Sequence, residues 1–449
     1  MREYKLGNDQ GPGMSTLSDQ VEPRKEQRMS TSVCLYFQMH QPMRLRPQSV
    51  FDHQDDYIDH ALNRNILLRI ARNCYVPALH TLLRYARFKR KPFKFALSVT
   101  GCLLDQLERH CPEVIIQLRE LAHTGCVEFL GETYYHSLAC LTSDAEFKAQ
   151  VDLHTQRIES LFDCTPRFFR NTELVYCDSI AKTVASWGRF DGMLLEGFEQ
   201  VLGNRPATQV FDSTAGSDFK LLTRHYHLSD DIAFRYSNEQ WVSWPLTAQK
   251  FVDRLQEQAN GSDVVLLGMD FETFGEHHKY TTNIHGFLRS LPIELMEQSN
   301  LRCHTPSQAI AKHPARSTLS VPDMISWADT QRDLTAWAGN RMQAEALGRL
   351  YGMYPHVLAS GDENLLQTWR QLTISDHLYY MCTKHMNDGQ VHAYFSPFDS
   401  PYDAYINFMN VLEDLASRRL GIETTEIQPT QVEVTTNKPT AEVASDAGL

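Results

Sequence analysis

The 449-residue sequence has ten cysteines and no CxxC pair among them, so neither a disulfide framework nor a cysteine-built zinc site is expected. Several of these cysteines lie in apolar runs, as reduced, buried thiols do. No stretch reaches the roughly twenty consecutive apolar residues that a membrane span needs. Lys and Arg are outnumbered 43 to 55 by Asp and Glu, and the net charge of −12 argues against a nucleic-acid partner. The one basic cluster, "RFKRKPFK" at 87–94, reads as a helix end and loop. The first thirty residues lack the apolar centre of a secretory signal, which makes the cytoplasm the expected compartment.

What is present is an ordinary globular composition, 42% hydrophobic and 22% charged, in a chain long enough for a barrel-sized domain and a smaller companion. Residues 1–30 and 421–449 are polar, without a helical stripe, and are expected to be disordered tails. Between them lie seven apolar runs: "VCLYF" (33–37), "FKFALSV" (93–99), "CVEFLG" (126–131), "RFFRNTE" (167–173), "DGMLLE" (191–196), "FKLLT" (219–223) and "VVLLGMD" (264–270). Helical patterns at 65–86 and 103–125 separate them. Such β-α alternation predicts a parallel sheet, closed or nearly closed into a barrel over 31–300, with an open doubly wound sheet as the alternative. Over 301–420 helices are expected, at 332–359, 363–384 and 401–420, packed as a bundle on the barrel.

The chemistry is concentrated where these runs end. The first ends in "QMHQP", with His40 and Gln41; the third in "GETYYH", with Glu132 and His136; the fourth in "RNTELVY", with Arg170 and Glu173. The seventh ends in "MDFETFGEHH", with Asp270, Glu272, Glu276, His277 and His278. Parallel strands would deliver all of these to one rim, where α/β barrels carry their active sites. Two carboxyl groups in such a pocket suit glycosidic hydrolysis, one protonating the leaving oxygen while the other attacks the anomeric carbon or activates water. Metal-dependent hydrolysis of the deacetylase or zinc-mannosidase kind is the competing reading. None of His40, His136, His277 and His278 stands in an HxH or HExxH arrangement, and no metal or other cofactor is expected.

In order and spacing, "HQP" at 40–42, "GETYYHSL" around Glu132, "RNTELVY" around Glu173, "MDFETFGEH" from 269 and "ISWADTQRDLTAWAGNRMQ" at 325–343 resemble the motifs of family-57 glycoside hydrolases, nearest to their α-amylase-like branch. The resemblance runs over roughly residues 32–415. It implies an incomplete seven-stranded (β/α) barrel followed by a helical region, acting on α-glucans with retention of configuration. It places the nucleophile at Glu173 and the acid/base at Asp270. His40 and Glu132 fall near the cleaved sugar, and Trp327, Asp329 and Trp337 fall in the fifth motif. Gln41, His136, Arg170, Glu272 and His277 complete the expected substrate-binding set. "RNTELVY" and "GET" both depart from the commoner forms of their motifs. A 4-α-glucanotransferase and a non-catalytic glucan-binding homologue are the alternatives on the same scaffold, and the oligomeric state is left open.

Overall fold

The computed structural model describes residues 30–384, 396–423 and 427–430. Its sheet has ten strands: β1 (Thr31–Met39), β2 (Phe95–Val99), β3 (Val127–Phe129), β4 (Phe168–Phe169), β5 (Gly192–Gly197), β6 (Val210–Ser213), β7 (Gly216–His225), β8 (Val264–Asp270), β9 (Leu301–Cys303) and β10 (Ser317–Leu319). Seven of them form a ring of parallel neighbours in the order β1, β2, β3, β4, β5, β7, β8 and back to β1. Two joints are thin. β3 meets β4 only beyond its end, where the Gly131 N–H donates to Phe168 O (2.9 Å) and the Arg170 N–H to Gly131 O (2.9 Å). β7 meets β8 at the single pair Arg224 and Leu266. The result is a nearly closed seven-stranded barrel.

All seven apolar runs of the sequence fall on these strands. The other three strands have no counterpart among those runs: β6 folds back antiparallel on β7, β10 extends β6, and β9 joins β1. Each is four residues or fewer, too short to show an alternating pattern. β9 and β10 carry the sheet past residue 300, into the stretch where only helices were expected.

Strand alternation decides which side chains line the barrel. On β1, Val33, Leu35, Phe37 and Met39 pack outward into the core beneath the helices, and on β8 Val265, Leu267 and Met269 do the same. Cys34 and Tyr36 of β1, Ala96 of β2, Leu130 after β3, Phe168 of β4, Leu194 of β5, Leu222 of β7 and Leu266 of β8 belong to a separate cluster that fills the interior. Two residues further along, the same inward parity brings Gln38, Ser98, Glu132, Arg170, Glu196 and Arg224, and on β8, where Gly268 takes that place, Asp270 follows two residues later. The interior is therefore oily below and charged at the mouth.

The helices differ from the expected spans where local chemistry interrupts them. The 65–86 pattern is one rod, but it passes through a π-helical turn at Ala71–Tyr75, which the apolar period does not reveal. The 103–125 pattern divides at Cys111, because Pro112 disfavours helical backbone in the residue before it. The 363–384 pattern divides into Glu363–Leu372 and Asp376–Tyr379. Beyond residue 421, Ile427 is buried, and the Thr430 N–H donates to Gly348 O of helix Arg341–Gly352 (3.1 Å). The remainder of both expected tails lies outside the described residues.

Gly268 on β8 is required by packing: a Cβ there would sit 2.0 Å from the ring of Tyr36, which is fully buried in the barrel interior. Gly268→Ala is expected to cost about 1–3 kcal/mol through overpacking. Thermal unfolding followed by circular dichroism should show a lower midpoint, and an unchanged midpoint would contradict this account of the interior.

Candidate active site

The barrel mouth gathers most of the expected site residues, and strand parity explains how. Glu132, two residues past the inward Leu130, is fully buried and accepts from Ser98 Oγ (2.7 Å) and, weakly, from Gln38 Nε2 (3.4 Å). Its own N–H donates to His154 Nδ1 (3.5 Å), while His154 Nε2 reaches Val99 O (2.9 Å). Neither Ser98 nor His154 was among the expected residues; both sit inside apolar surroundings that carry no chemical signature of their own.

Glu173 sits on a short 3-10 turn, Thr172–Leu174, after β4. Its φ of 54° is left-handed, an uncommon conformation for a non-glycine residue. Asn171 holds this elbow: its Oδ1 accepts from the Thr172 N–H (3.0 Å) and its Nδ2 donates to Val175 O (2.9 Å). The turn lifts the Glu173 carboxylate into the mouth, where it accepts from His136 Nε2 (2.8 Å) and from the indole N–H of Trp327 (2.7 Å). Burial opposes the charge on Glu173, but the His136 contact and the nearby positive charges of His136 and Arg170, with the Trp327 hydrogen bond, outweigh it. The carboxyl is held below its ordinary range.

His136, also left-handed at φ 51°, lies between two acids, with Nδ1 at 3.5 Å from Glu132 Oε2. Burial disfavours its charge, yet Glu132 and Glu173 push it up to about 9, so it is an imidazolium at neutral pH. Glu132 in turn stays below its ordinary range, because His136, His154 and Arg170 overcome the effect of burial.

Asp270 ends β8, in register with Gln38 of β1, with its side chain turned to the mouth. Burial, and then the negative charge of Glu173, push its carboxyl up to about 6. Two acids in one cleft are thus displaced in opposite directions, the arrangement that separates a carboxylate from a proton donor.

Arg170 is fully buried, stacked over the Trp327 ring at 4.7 Å, and none of its three guanidinium nitrogens donates a hydrogen bond among the described residues. A second pair of guanidiniums closes the β5–β7 side. Arg224 reaches Glu196 (2.9 Å) and Gly268 O (2.7 Å), and Arg332 reaches Glu196 (2.7 Å). Glu196 and Arg224 escaped the sequence reading because the strand ends "MLLE" and "KLLTR" carry no motif, and Arg332, inside the 325–343 motif, was not singled out within it.

Glu272 lies just beyond Asp270, accepting from the Tyr75 hydroxyl and from Gln41 Nε2 (3.3 Å). Burial, and then the charge of Asp270, raise it to about 8, so it is protonated at neutral pH. Tyr75 is the buried last residue of the π-helical turn. Gln41 is held in turn by Arg44, whose Nη2 lies 3.4 Å from Gln41 Oε1.

The remaining expected residues have other surroundings. His277 lies in the loop after β8 and is driven down to about 4 by burial. Glu276 pairs with Arg69 (2.8 Å), and His278 is fixed between Ser237 Oγ (2.6 Å) and Ile232 O (2.8 Å), a packing role. Asp329 binds Lys384 (2.6 Å). Trp337 is 1% exposed in the core of the helical region, 5.9 Å from the Tyr379 ring. The sequence does contain one HxH arrangement, His225 and His227 at the end of β7; His225 caps the next helix and His227 faces outward near Glu199 (3.7 Å). Among the described residues no three His, Cys, Asp or Glu side chains are grouped to hold a metal ion, and no helix is long and apolar enough to cross a membrane.

With this geometry in hand, comparison with known proteins is informative. The family model for glycosyl hydrolase family 57 matches residues 34–322. A Methanocaldococcus jannaschii protein named "Putative alpha-amylase" is 35% identical over 392 residues, spanning 84% of this chain and 82% of that protein. Among solved structures, a family-57 branching enzyme from Thermococcus kodakaraensis aligns over 92% of this chain and all of its own, with a TM-score of 0.60 at 13% identity. The 4-alpha-glucanotransferase of Thermococcus litoralis aligns over 78% of this chain and 56% of its own, with a TM-score of 0.61 at 13% identity. These structures share the barrel and the helical region that follows it. The chain belongs to glycosyl hydrolase family 57.

Proposed function

We propose that the protein cleaves α-1,4-glucosidic bonds in α-glucans such as starch, glycogen or maltooligosaccharides, with retention of anomeric configuration. The observation that carries this reading is the opposite displacement of two carboxyls in one cleft, Glu173 held ionised by His136 and Trp327 and Asp270 raised to about 6 by burial and by Glu173. A Glu173 oxygen attacks the anomeric carbon as the bond to the glycosidic oxygen breaks, and the Asp270 proton passes to that departing oxygen. Asp270, now a carboxylate, takes a proton from water, and the resulting hydroxide displaces Glu173 from the sugar.

His40 and Trp327, both part-exposed at the mouth, are the side chains best placed to meet the sugar, the Trp327 ring offering a stacking surface. Arg170, fully buried against Trp327, tunes the charge of the two acids from below. Glu132, His136, Gln41 and Glu272 hold these groups from behind. Asp329, His277 and Trp337 shape the surrounding wall. In this reading residues 31–300, with β9 and β10 added to the sheet, form the catalytic barrel, and the helices that follow, up to residue 420, the domain packed on it.

The relatives support a glucan substrate without fixing the acceptor, since the solved structures named above include a branching enzyme and a glucanotransferase. Maltoheptaose separates the possibilities: shortened sugars alone identify a hydrolase, and lengthened ones a transferase. Glu173→Gln, which keeps the side-chain shape, is expected to reduce turnover to background with unchanged thermal unfolding. Wild-type turnover in that variant would refute the assignment.

The pH profile follows from the same two groups. Activity requires Glu173 without its proton and Asp270 with one. As pH falls through the depressed Glu173 range the nucleophile is lost, and as pH rises through about 6 the acid is lost. The profile of kcat/KM, which reports the free enzyme, should therefore be a bell with a mildly acidic optimum. A profile still rising above neutral pH would contradict the role given to Asp270.

A further inference from the structure

The helical region reaches the catalytic cluster through one side chain that no sequence motif marked. Asp376 begins helix Asp376–Tyr379, and its Oδ2 lies 2.9 Å from His40 Nε2. It is placed there by backbone pairing across the junction: the Ser375 N–H donates to His136 O (3.1 Å), and Ser137 bridges Ile374. The same backbone that carries His136 therefore positions the acid that meets His40. On its other side His40 Nδ1 lies 3.0 Å from Thr100 Oγ1, the N-cap of helix Gly101–His110. The His40 ring is stacked on that of His136, centroids 4.1 Å apart and planes 25° from parallel.

These contacts leave little freedom. A carboxylate only accepts, so His40 must present its proton at Nε2, and Nδ1 then accepts from the Thr100 hydroxyl. We propose that Asp376 is a positioning residue: by fixing the tautomer and plane of His40 it backs the stacked His136 ring, which donates to the catalytic carboxylate Glu173. The helical region is thereby part of the active site rather than a support for the barrel. The inference rests on the glycoside-cleaving reading for its consequence in turnover, but the tautomer itself does not.

The charges around the stack agree with this arrangement. His136 faces Glu132 from β3, Glu173 from the elbow, Arg170 from β4 and His40 from β1; Asp376 faces His40, His136 and Arg44. Burial and then the neighbouring His136 lower the proton affinity of His40 against the pull of Asp376, and Asp376 is held well below the ordinary carboxylate range, despite its burial, by His40 first and then by His136 and Arg44.

Histidine-selective nitrogen labelling with long-range proton–nitrogen correlation reads the tautomer directly, His40 being assigned by its loss in His40→Gln. Wild-type protein near neutral pH should show His40 neutral with its proton on Nε2. A proton on Nδ1 would overturn the proposal, whatever the enzyme does. Asp376→Leu, which keeps bulk but offers no acceptor, should lower kcat on maltoheptaose roughly tenfold or more, within the hundredfold that a small misplacement can cost, while KM moves less. Wild-type kcat in Asp376→Leu would also overturn it. Should that variant fail to fold, the wild-type spectrum still decides. Absence of any glucan cleavage by the wild type would defeat the functional reading and leave the tautomer test intact.

Discussion

His136 stands between two carboxylates, 2.8 Å from Glu173 and 3.5 Å from Glu132, and the rest of the barrel mouth is arranged around those contacts. Two buried groups and a half-buried one, of alternating sign, are costly to remove from water, and such an assembly persists only where each charge is matched at close range. Here the matching is asymmetric. His136, Arg170 and Trp327 all favour the ionised form of Glu173, and the resulting negative charge is one cause of the raised proton affinity of Asp270. That contact keeps the nucleophile charged, while burial, and then the charge of Glu173, hold the proton on Asp270.

Replacing buried ion pairs by packed apolar side chains is often neutral or stabilising. The mouth of this barrel nevertheless keeps Glu132, Arg170, Glu196 and Arg224 almost entirely out of solvent, while the layer below is filled with Tyr36, Leu130, Phe168, Leu194, Leu222 and Leu266. Stability alone would extend the oily layer upward. The charged layer makes sense as chemistry, and its part-exposed members are His40, Glu173, Asp270, Trp327 and Asp376.

Much of this was legible in the sequence because strands that are buried on both faces read as continuous apolar runs, and because Glu132, Glu173 and Asp270 follow such runs directly. The parallel barrel and the convergence of those acids follow from that pattern. What stayed hidden has specific causes. β6, β9 and β10 are too short to show a period. Tyr75, which donates to Glu272, closes a π-helical turn that an apolar stripe of ordinary helical spacing masks. Asp376 sits in the middle of what reads as one continuous helix, so its exposure to the cleft depends on a break at Thr373–Ser375 that no glycine or proline announces. Trp337 illustrates the converse: a motif position in sequence, it is packed into the core of the helical region.

The central claim is that Glu173 forms a bond to the sugar. Incubation with a fluorinated glucosyl fluoride, which slows breakdown of a glycosyl-enzyme relative to its formation, followed by peptide mass spectrometry, tests it directly. The account predicts one sugar per chain, attached to the peptide containing Glu173 and absent in Glu173→Gln. A label on Asp270 or any other residue, or turnover of the reagent with inversion at the anomeric carbon and no labelled peptide, would contradict it.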